Sequence, residues 1–592
     1  MKERINLIIV IGILFGLIFA MTYPLFFHLN SYIPGFFSTD ESYSVLWNAW
    51  FVKFSHINHT SLQKTDLLMH PFGQVFFAGK PIGTIFFLIN YFLALLTNPI
   101  LTYNIQVSIN FFLNALFVFL LVRYLTGSLL AALFSGITFG FCPYVFARAW
   151  QHLGETYLWA MPLFLLALFK LNGEKGSKVK ILFFTSVVFS CLNFDVAYYN
   201  AVIFTVIAIY YSLRNRGLTR ENFKATSIIF LGTLSIMLLE FYPIFLKIFN
   251  NRNATPSPFN IYHRPFEDLF VQSARPLSYL LPAAVHPIFG SFTQNFIGSP
   301  LYGLSFTEHT LYLGITSLVL AFIAVKRFIK NRAFLSKEDN FYIGLFFSIG
   351  IVAWIFSQSP WWSLGSLKIY MPSFFIYKIF PMFRAYCRFG IVVMFAVSIL
   401  AGFGLKIILE KFNSGRIKVM ICGLFCALVL FEFWNYPPFE VIDVSKMPQV
   451  YYHLKEQPGK IAIAEYPLDL TGPSEMYKLY QTVHEKAIIN APTPDSYAHR
   501  VLKSIAKLSD PKTAGVLKWL GVKYALVHED GYLKTGLIED IDELRKIPKN
   551  QNLKFIKKFP SEDCIDKQIR CIRQTGPITV YEVVADPQEF KE

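Results

Sequence analysis

Apolar runs of about 20 residues recur from the N-terminus of this chain to about residue 434, and no other feature limits its fold so tightly. A helix needs roughly that length to cross a hydrocarbon core about 30 Å thick, where the backbone must satisfy its own hydrogen bonds. With 54% hydrophobic residues, 17% aromatic residues and a mean hydropathy of +0.44, the chain is too apolar for a soluble globular protein. The reading is an α-helical polytopic membrane protein of about eleven transmembrane helices, at 5–27, 103–122, 128–146, 155–171, 180–195, 198–213, 226–245, 310–326, 341–358, 388–406 and 418–434. Residues 435–592 return to ordinary globular composition. There, 460–466 and 522–528 read as buried strands and 498–520 as helix, so a small C-terminal α/β domain is expected.

Charge placement sets the topology. The net charge of +16, from 54 Lys and Arg against 38 Asp and Glu, is spread through short loops between apolar runs. That pattern marks cytoplasmic loops and excludes a nucleic-acid surface. The first apolar segment follows Lys2 and Arg4, exceeds a signal-peptide core in length and lacks a small-residue cleavage site, so it reads as a retained anchor with a cytoplasmic N-terminus. If 82–97 is re-entrant or interfacial, the cytoplasmic side collects Arg123, Lys170 to Lys180, Arg214 to Lys224, Lys326 to Arg332 and Lys406 to Lys418. The opposite short loops then hold almost no cation beyond Arg148. This side receives the 28–102 loop, the 147–154 turn, the 250–309 loop, the 359–387 loop and the C-terminal domain.

The residues that carry chemistry gather on that side. Asp40 and Glu41 are adjacent carboxylates beyond the first helix. His152 and Glu155, three apart, share a face if their turn is helical, although Glu155 also suits a helix N-terminus. Asp195 sits in an Asn193-Phe194-Asp195 turn that needs no catalytic role. Arg384 and Arg388, four apart, are placed on one helical face, where guanidinium forks match phosphate oxygens; two arginines reaching for the headgroups of membrane lipids explain them as well. His263 and Arg264, with Glu308 and His309, bracket the long Pro-rich 250–309 loop, read as a lid. These His and Glu spacings fit no compact metal motif, and no phosphate loop of the Gly-x-x-x-x-Gly-Lys-Ser/Thr type occurs. Cys142, Cys191, Cys422 and Cys426 read as packing residues, and Cys564 and Cys571 as a local disulfide pair if the tail is extracytoplasmic.

Several short motifs together resemble the GT-C superfamily of membrane glycosyltransferases, including its poorly characterised bacterial, YfhO-like members. They are Asp40-Glu41-Ser42-Tyr43, Trp47-Asn48-Ala49-Trp50, His70-Pro71-Phe72-Gly73, Tyr103-Asn104, Arg123-x3-Gly127 and Pro143-Tyr144 leading to His152. Further along come Glu308 ahead of Tyr312-Leu313-Gly314, the Arg384/Arg388 pair, Glu465-Tyr466-Pro467 and Gly521-Val522-Lys523-Tyr524. The resemblance implies transfer of a sugar from a polyprenyl-phosphate-linked donor to a glycan or lipid acceptor of the cell envelope, at the plasma membrane. It makes Asp40 the general base, with Glu41 in reserve, and in some branches adds a divalent cation beside the carboxylate. His152 and Glu155 would then position the acceptor or that ion, and Arg384 and Arg388 the donor phosphate. A transporter or flippase of lipid-linked glycans is the first rival, weakened because Glu240 and Glu432 fall near outer helix ends rather than at the midplane. A non-catalytic scaffold of the same fold is the second.

Overall fold

The computed structural model describes residues 2–35, 40–75, 84–174, 176–214, 264–330, 332–379, 381, 383–434, 440–468, 474–492 and 496–590, with single positions at 227, 231 and 235. The chain forms two compact units that do not follow chain order. One joins Met1–Phe26 and Pro81–Leu88 to Gln106–Phe439; the other joins Phe27–Lys80 and Ile89–Ile105 to Glu440–Glu592.

Among the described residues six segments are long and apolar enough to cross a membrane: Pro99–Thr126, Leu129–Gln151, Leu153–Leu171, Asp195–Leu213, Lys337–Phe356 and Tyr386–Leu409. Helices Lys2–Met21, Ser177–Cys191, Ile315–Lys330 and Gly415–Glu432 fill further predicted spans. The predicted span at 226–245 lies almost wholly outside the described residues. Thr84–Leu96 has 13 residues, which rise only about 20 Å, short of a hydrocarbon core.

The core of the first unit is helix Gly390–Leu409, buried along nearly its whole length. It packs on Ile315–Lys330, Lys337–Phe356 and Leu129–Gly140. Small residues set these distances: a Cβ on Gly404 would lie 1.9 Å from the Leu320 carbonyl oxygen, and one on Gly140 would lie 2.5 Å from the Ala115 Cβ. Close backbone approach of this kind is how helices associate where no hydrophobic drive separates them from lipid. Two carboxylates are absorbed structurally. Asp339 pairs with Lys406 at 2.7 Å, and Glu432 accepts from the Thr316 backbone N–H at 3.0 Å and its hydroxyl at 2.7 Å, capping helix Ile315–Lys330.

In the second unit the tail folds around parts of the first loop, an association that no composition shift announces. Tyr32–Pro34 pairs antiparallel with Val441–Asp443, which pairs parallel with Arg570–Cys571. The main sheet has the order 553–559, 578–583, 522–528, 462–466, 487–488, antiparallel at the first two junctions and parallel at the rest. Alternating apolar side chains such as Ala462, Ala464, Tyr466, Ala525 and Val527 bury one face under the helices that follow. The predicted 498–520 helix is two, Tyr497–Ser504 and Pro511–Trp519, because Asp510 caps the second and Pro511 cannot continue the first. Cys564 and Cys571 form a disulfide.

The motifs of the first loop hold this unit together. Trp47 donates to the Gln481 side chain at 2.8 Å, and Gln481 in turn donates to the Leu67 carbonyl at 2.6 Å. Asn104 donates to the carbonyls of Leu29 and Tyr32 at 2.8 and 2.7 Å, and Ser42 shares a hydrogen bond with Tyr103 at 3.0 Å.

Candidate functional site

Pro143 supplies the first link in the site. It ends helix Leu129–Gly140 and opens Pro143–Gln151, so the expected 147–154 turn is largely helix and Arg148 projects from it fully buried. His152 then leads into the short 3-10 turn Leu153–Thr156, which presents Glu155. From the far end of the long loop comes Glu308, on a single helical turn capped by the Ser305 hydroxyl. The 3-10 turn Tyr386–Phe389 supplies Arg388.

These four side chains close a ring of alternating charge. Arg148 reaches Glu308 at 2.7 Å through Nη2 and Glu155 at 3.1 Å through Nε. Arg388 forks onto Glu308, at 2.6 Å from Nη2 and 3.2 Å from Nε, and its Nη1 pairs with Glu155. His152 stands 3.8 Å from Glu308 on one side, and the Cys387 thiol donates to Glu308 at 3.5 Å on another. The Arg148 guanidinium also lies 4.7 Å over the Tyr144 ring. Burial works to raise the Glu308 carboxyl, but the two guanidiniums and their hydrogen bonds together hold it well below the usual carboxylate range. Asp195 adds a fifth charge within electrostatic reach of all four. Arg388 keeps a quarter of its side chain exposed whereas Arg148 keeps none, so Arg388, Glu155 and His152 form the reachable edge.

The sequence-predicted residues divide. His152, Glu155, Glu308 and Arg388 converge. Arg384 and Arg388 do not share a helical face: Arg384 lies in an irregular stretch before the helix begins and pairs with Asp268 at 3.1 Å. His309 is a brace rather than a lid residue, buried with its ring nitrogens 3.0 Å from the Ser305 and Ser273 carbonyls. It packs so tightly on Gly303, at φ +109°, that a Cβ there would lie 2.3 Å from the ring. Arg264 is exposed, and its backbone N–H donates to the Pro381 carbonyl at 3.1 Å; His263 lies outside the described residues. In the second unit, Asp40 and Glu41 are not loop residues, for they open the 18-residue helix Asp40–Ile57, where negative charge meets the positive end of the helix dipole. Glu41 is exposed and the Asp40 side chain lies outside the described residues. Arg148 was legible only as the lone cation on a charge-poor side, and Cys387 carried no signal.

No group of three or more His, Cys, Asp or Glu side chains among the described residues is placed to hold a metal ion. The ring carboxylates are taken up by arginine.

No family model matches the chain, and no curated protein sequence matches it. Solved structures do. The archaeal oligosaccharyltransferase AglB from Archaeoglobus fulgidus, solved with an inhibitory peptide and a dolichol-phosphate, matches with a TM-score of 0.51 at 11% identity, over 94% of this chain and 73% of that one. The arabinofuranosyltransferase AftD from Mycobacteria matches with a TM-score of 0.52 at 14% identity, over 99% of this chain and 42% of that one. The likeness is one of fold, shared with these two transferases over nearly the whole of this chain. Six membrane-length apolar segments among the described residues fit a multi-pass membrane protein, with a C-terminal α/β portion.

Proposed function

We propose that this protein is a glycosyltransferase that moves a sugar from a polyprenyl-phosphate-linked donor to an extracytoplasmic cell-envelope glycan or lipid, with its N-terminus cytoplasmic. The observation that carries the reading is a fold shared over nearly the whole chain with two sugar-transferring membrane enzymes. Asp40 is the general base that takes the acceptor proton as the glycosidic bond forms, and Glu41 its reserve. Arg388, Glu155 and His152 are the groups at the reachable edge of the ion ring, where a donor phosphate would compete with the Glu155 carboxylate for Nη1 of Arg388. Arg384, with Arg264 as its neighbour, is the more exposed phosphate contact. The test is sugar transfer from lipid-linked donors on membranes carrying Asp40→Asn. Loss of about 10²–10⁴-fold in rate with donor binding kept is expected, and Glu41→Gln is expected to cost less. Transfer equal to the parent removes Asp40 from the chemistry.

Closure of the ring favours a second reading, a non-catalytic scaffold, because both arginines are already neutralised by carboxylates. A parent protein inactive on every lipid-linked donor offered, with Arg388→Lys retaining full membrane integration, would select it.

A further inference from the structure

Between the membrane-length segments Lys337–Phe356 and Tyr386–Leu409 the chain makes a β-hairpin, Trp361–Leu364 with Leu367–Tyr370, followed by the short helix Pro372–Ile379. The hairpin is firmly rooted. Trp362 packs edge-on against Trp354 in the last turn of the preceding helix, the Met371 N–H donates to the Pro360 carbonyl at 2.9 Å, and Ser373 donates to the Gln358 carbonyl at 3.2 Å. Phe266 stacks on Trp361 and meets Tyr377 edge-on, fixing the inner face. The outer face is apolar yet uncovered: all four residues of Leu367–Tyr370 are exposed, with Leu367 at 61%, Phe375 at 55% and Ile379 at 70%. A rigid element at a membrane-helix end that keeps large apolar side chains uncovered is built to meet something.

Its chemistry names the partner. Residues 359–387 contain no Asp or Glu, but Lys368, Lys378 and Arg384 lie among four Phe, three Tyr and two Trp in 361–386. The Lys368 ammonium lies 4.7 Å over the Trp361 ring and that of Lys378 lies 4.4 Å over the Phe374 ring. Each lysine thus holds its charge against an aromatic face, a cation–π contact that keeps cation and ring together on the same patch. Aromatic side chains with cations held against them are what the boundary between acyl chains and headgroups selects; Arg384 is taken up by Asp268, so Lys368 and Lys378, in a segment without carboxylates of its own, are the cations offered to anionic headgroups. We infer that the hairpin and helix of residues 361–379 form an interfacial anchor, lying at headgroup level in an anionic lipid leaflet.

The test uses the full-length protein in nanodiscs, with an environment-sensitive NBD label on Ile369→Cys and, as an aqueous control, on Lys534→Cys, a side chain 77% exposed. Unsubstituted protein supplies the blank, its described free cysteines being buried or half-buried. The expected result is blue-shifted emission at 369 that a nitroxide near the acyl boundary of the lipid largely removes and aqueous iodide spares, with the opposite behaviour at 534. The shift should deepen with phosphatidylglycerol over phosphatidylcholine and lose that dependence in Lys368→Glu/Lys378→Glu. Iodide quenching at 369 equal to that at 534 overturns the inference. So does protection from both quenchers, which would mean that protein, a second copy included, covers the surface. Phe375→Cys repeats the measurement if the first variant does not fold.

Discussion

The two units bury charge in opposite ways. In the first, Glu308 sits at the centre of a ring in which every charge faces two of opposite sign. In the second, Glu465 is equally buried but meets His528 at 2.7 Å, the Tyr451 hydroxyl at 3.4 Å and a wall of tyrosine rings, while its Oε1 has no hydrogen-bond partner among the described residues. Nearby, His484 is buried with Nδ1 accepting from the Lys486 N–H at 3.0 Å and Nε2 without a hydrogen-bond partner among the described residues; burial pushes its pKa down to about 3. Charge balanced by charge resists titration but fails badly when one member is lost. Polarity balanced chiefly by hydrogen bonds loses less on truncation, and a buried imidazole such as His484 responds more to pH.

The contrast is sharpest at Glu308. Glu308→Gln leaves two arginines sharing one carboxylate in a buried site, and the expected destabilisation is about 3–5 kcal/mol, read as a fall in thermal midpoint in detergent. Arg388→Ala belongs to the same class, whereas Arg384→Ala, at a partly exposed pair, is expected to cost about 0.2–1 kcal/mol. Equal losses for the two arginines would dissolve the distinction between them. At Glu465, the Gln variant is expected to lie between these, at about 1–3 kcal/mol, because one buried hydrogen-bonding network is disturbed without stranding a pair of cations; a loss matching that of Glu308→Gln would erase the contrast between units.

A further effect, in the second unit, reads pH. His484 binds its proton far less readily folded than unfolded, so the unfolded state holds more protons below about pH 6.5 and stability falls as pH drops toward 3. Between pH 7 and pH 5 that amounts to about 2 kcal/mol. His484→Phe, which keeps a ring against Tyr451, is expected to start less stable at pH 7 yet lose less over that interval. An unchanged pH slope would place the titrating group elsewhere. The Glu308 carboxyl, held low, contributes stability above the unfolded carboxylate range of about pH 4 and gives it up only in stronger acid, so Glu308 itself should add little slope in the same window.

Much of this was open to inspection in the chain. Apolar runs mark the helices because a membrane segment must be apolar along its length, and the short, largely apolar stretches 460–466 and 522–528 mark strands because the sheet buries them on both faces. Glu308, His152, Glu155 and Arg388 stand out as ionisable groups at helix ends on a side poor in charge. What spacing could not deliver is backbone state. Arg384 and Arg388 share a face only if the helix has begun, and it begins two residues after Arg388. Asp40 and Glu41 look like loop residues because Trp47, Trp50 and the helix they belong to follow a short run rich in Gly, Phe and Ser. Arg148 is hidden for a different reason. A solitary arginine reads as a surface residue until the carboxylates 7 and 160 residues away are brought to it, the second of which only tertiary structure can do.

The Trp47–Gln481 hydrogen bond joins residues 434 positions apart, and the strand at 32–34 waits for the one at 441–443. A ribosome adding about 5–20 residues per second takes roughly 20–90 s to cover that separation. Through that interval an apolar segment carrying Trp47, Phe51 and Val52, each buried in the finished protein, stands without its partner while helix after helix enters the bilayer. Completion of the second unit therefore reports that the last helix has been threaded, and a chain truncated before residue 440 would display an unclosed hydrophobic surface for quality-control proteases to read.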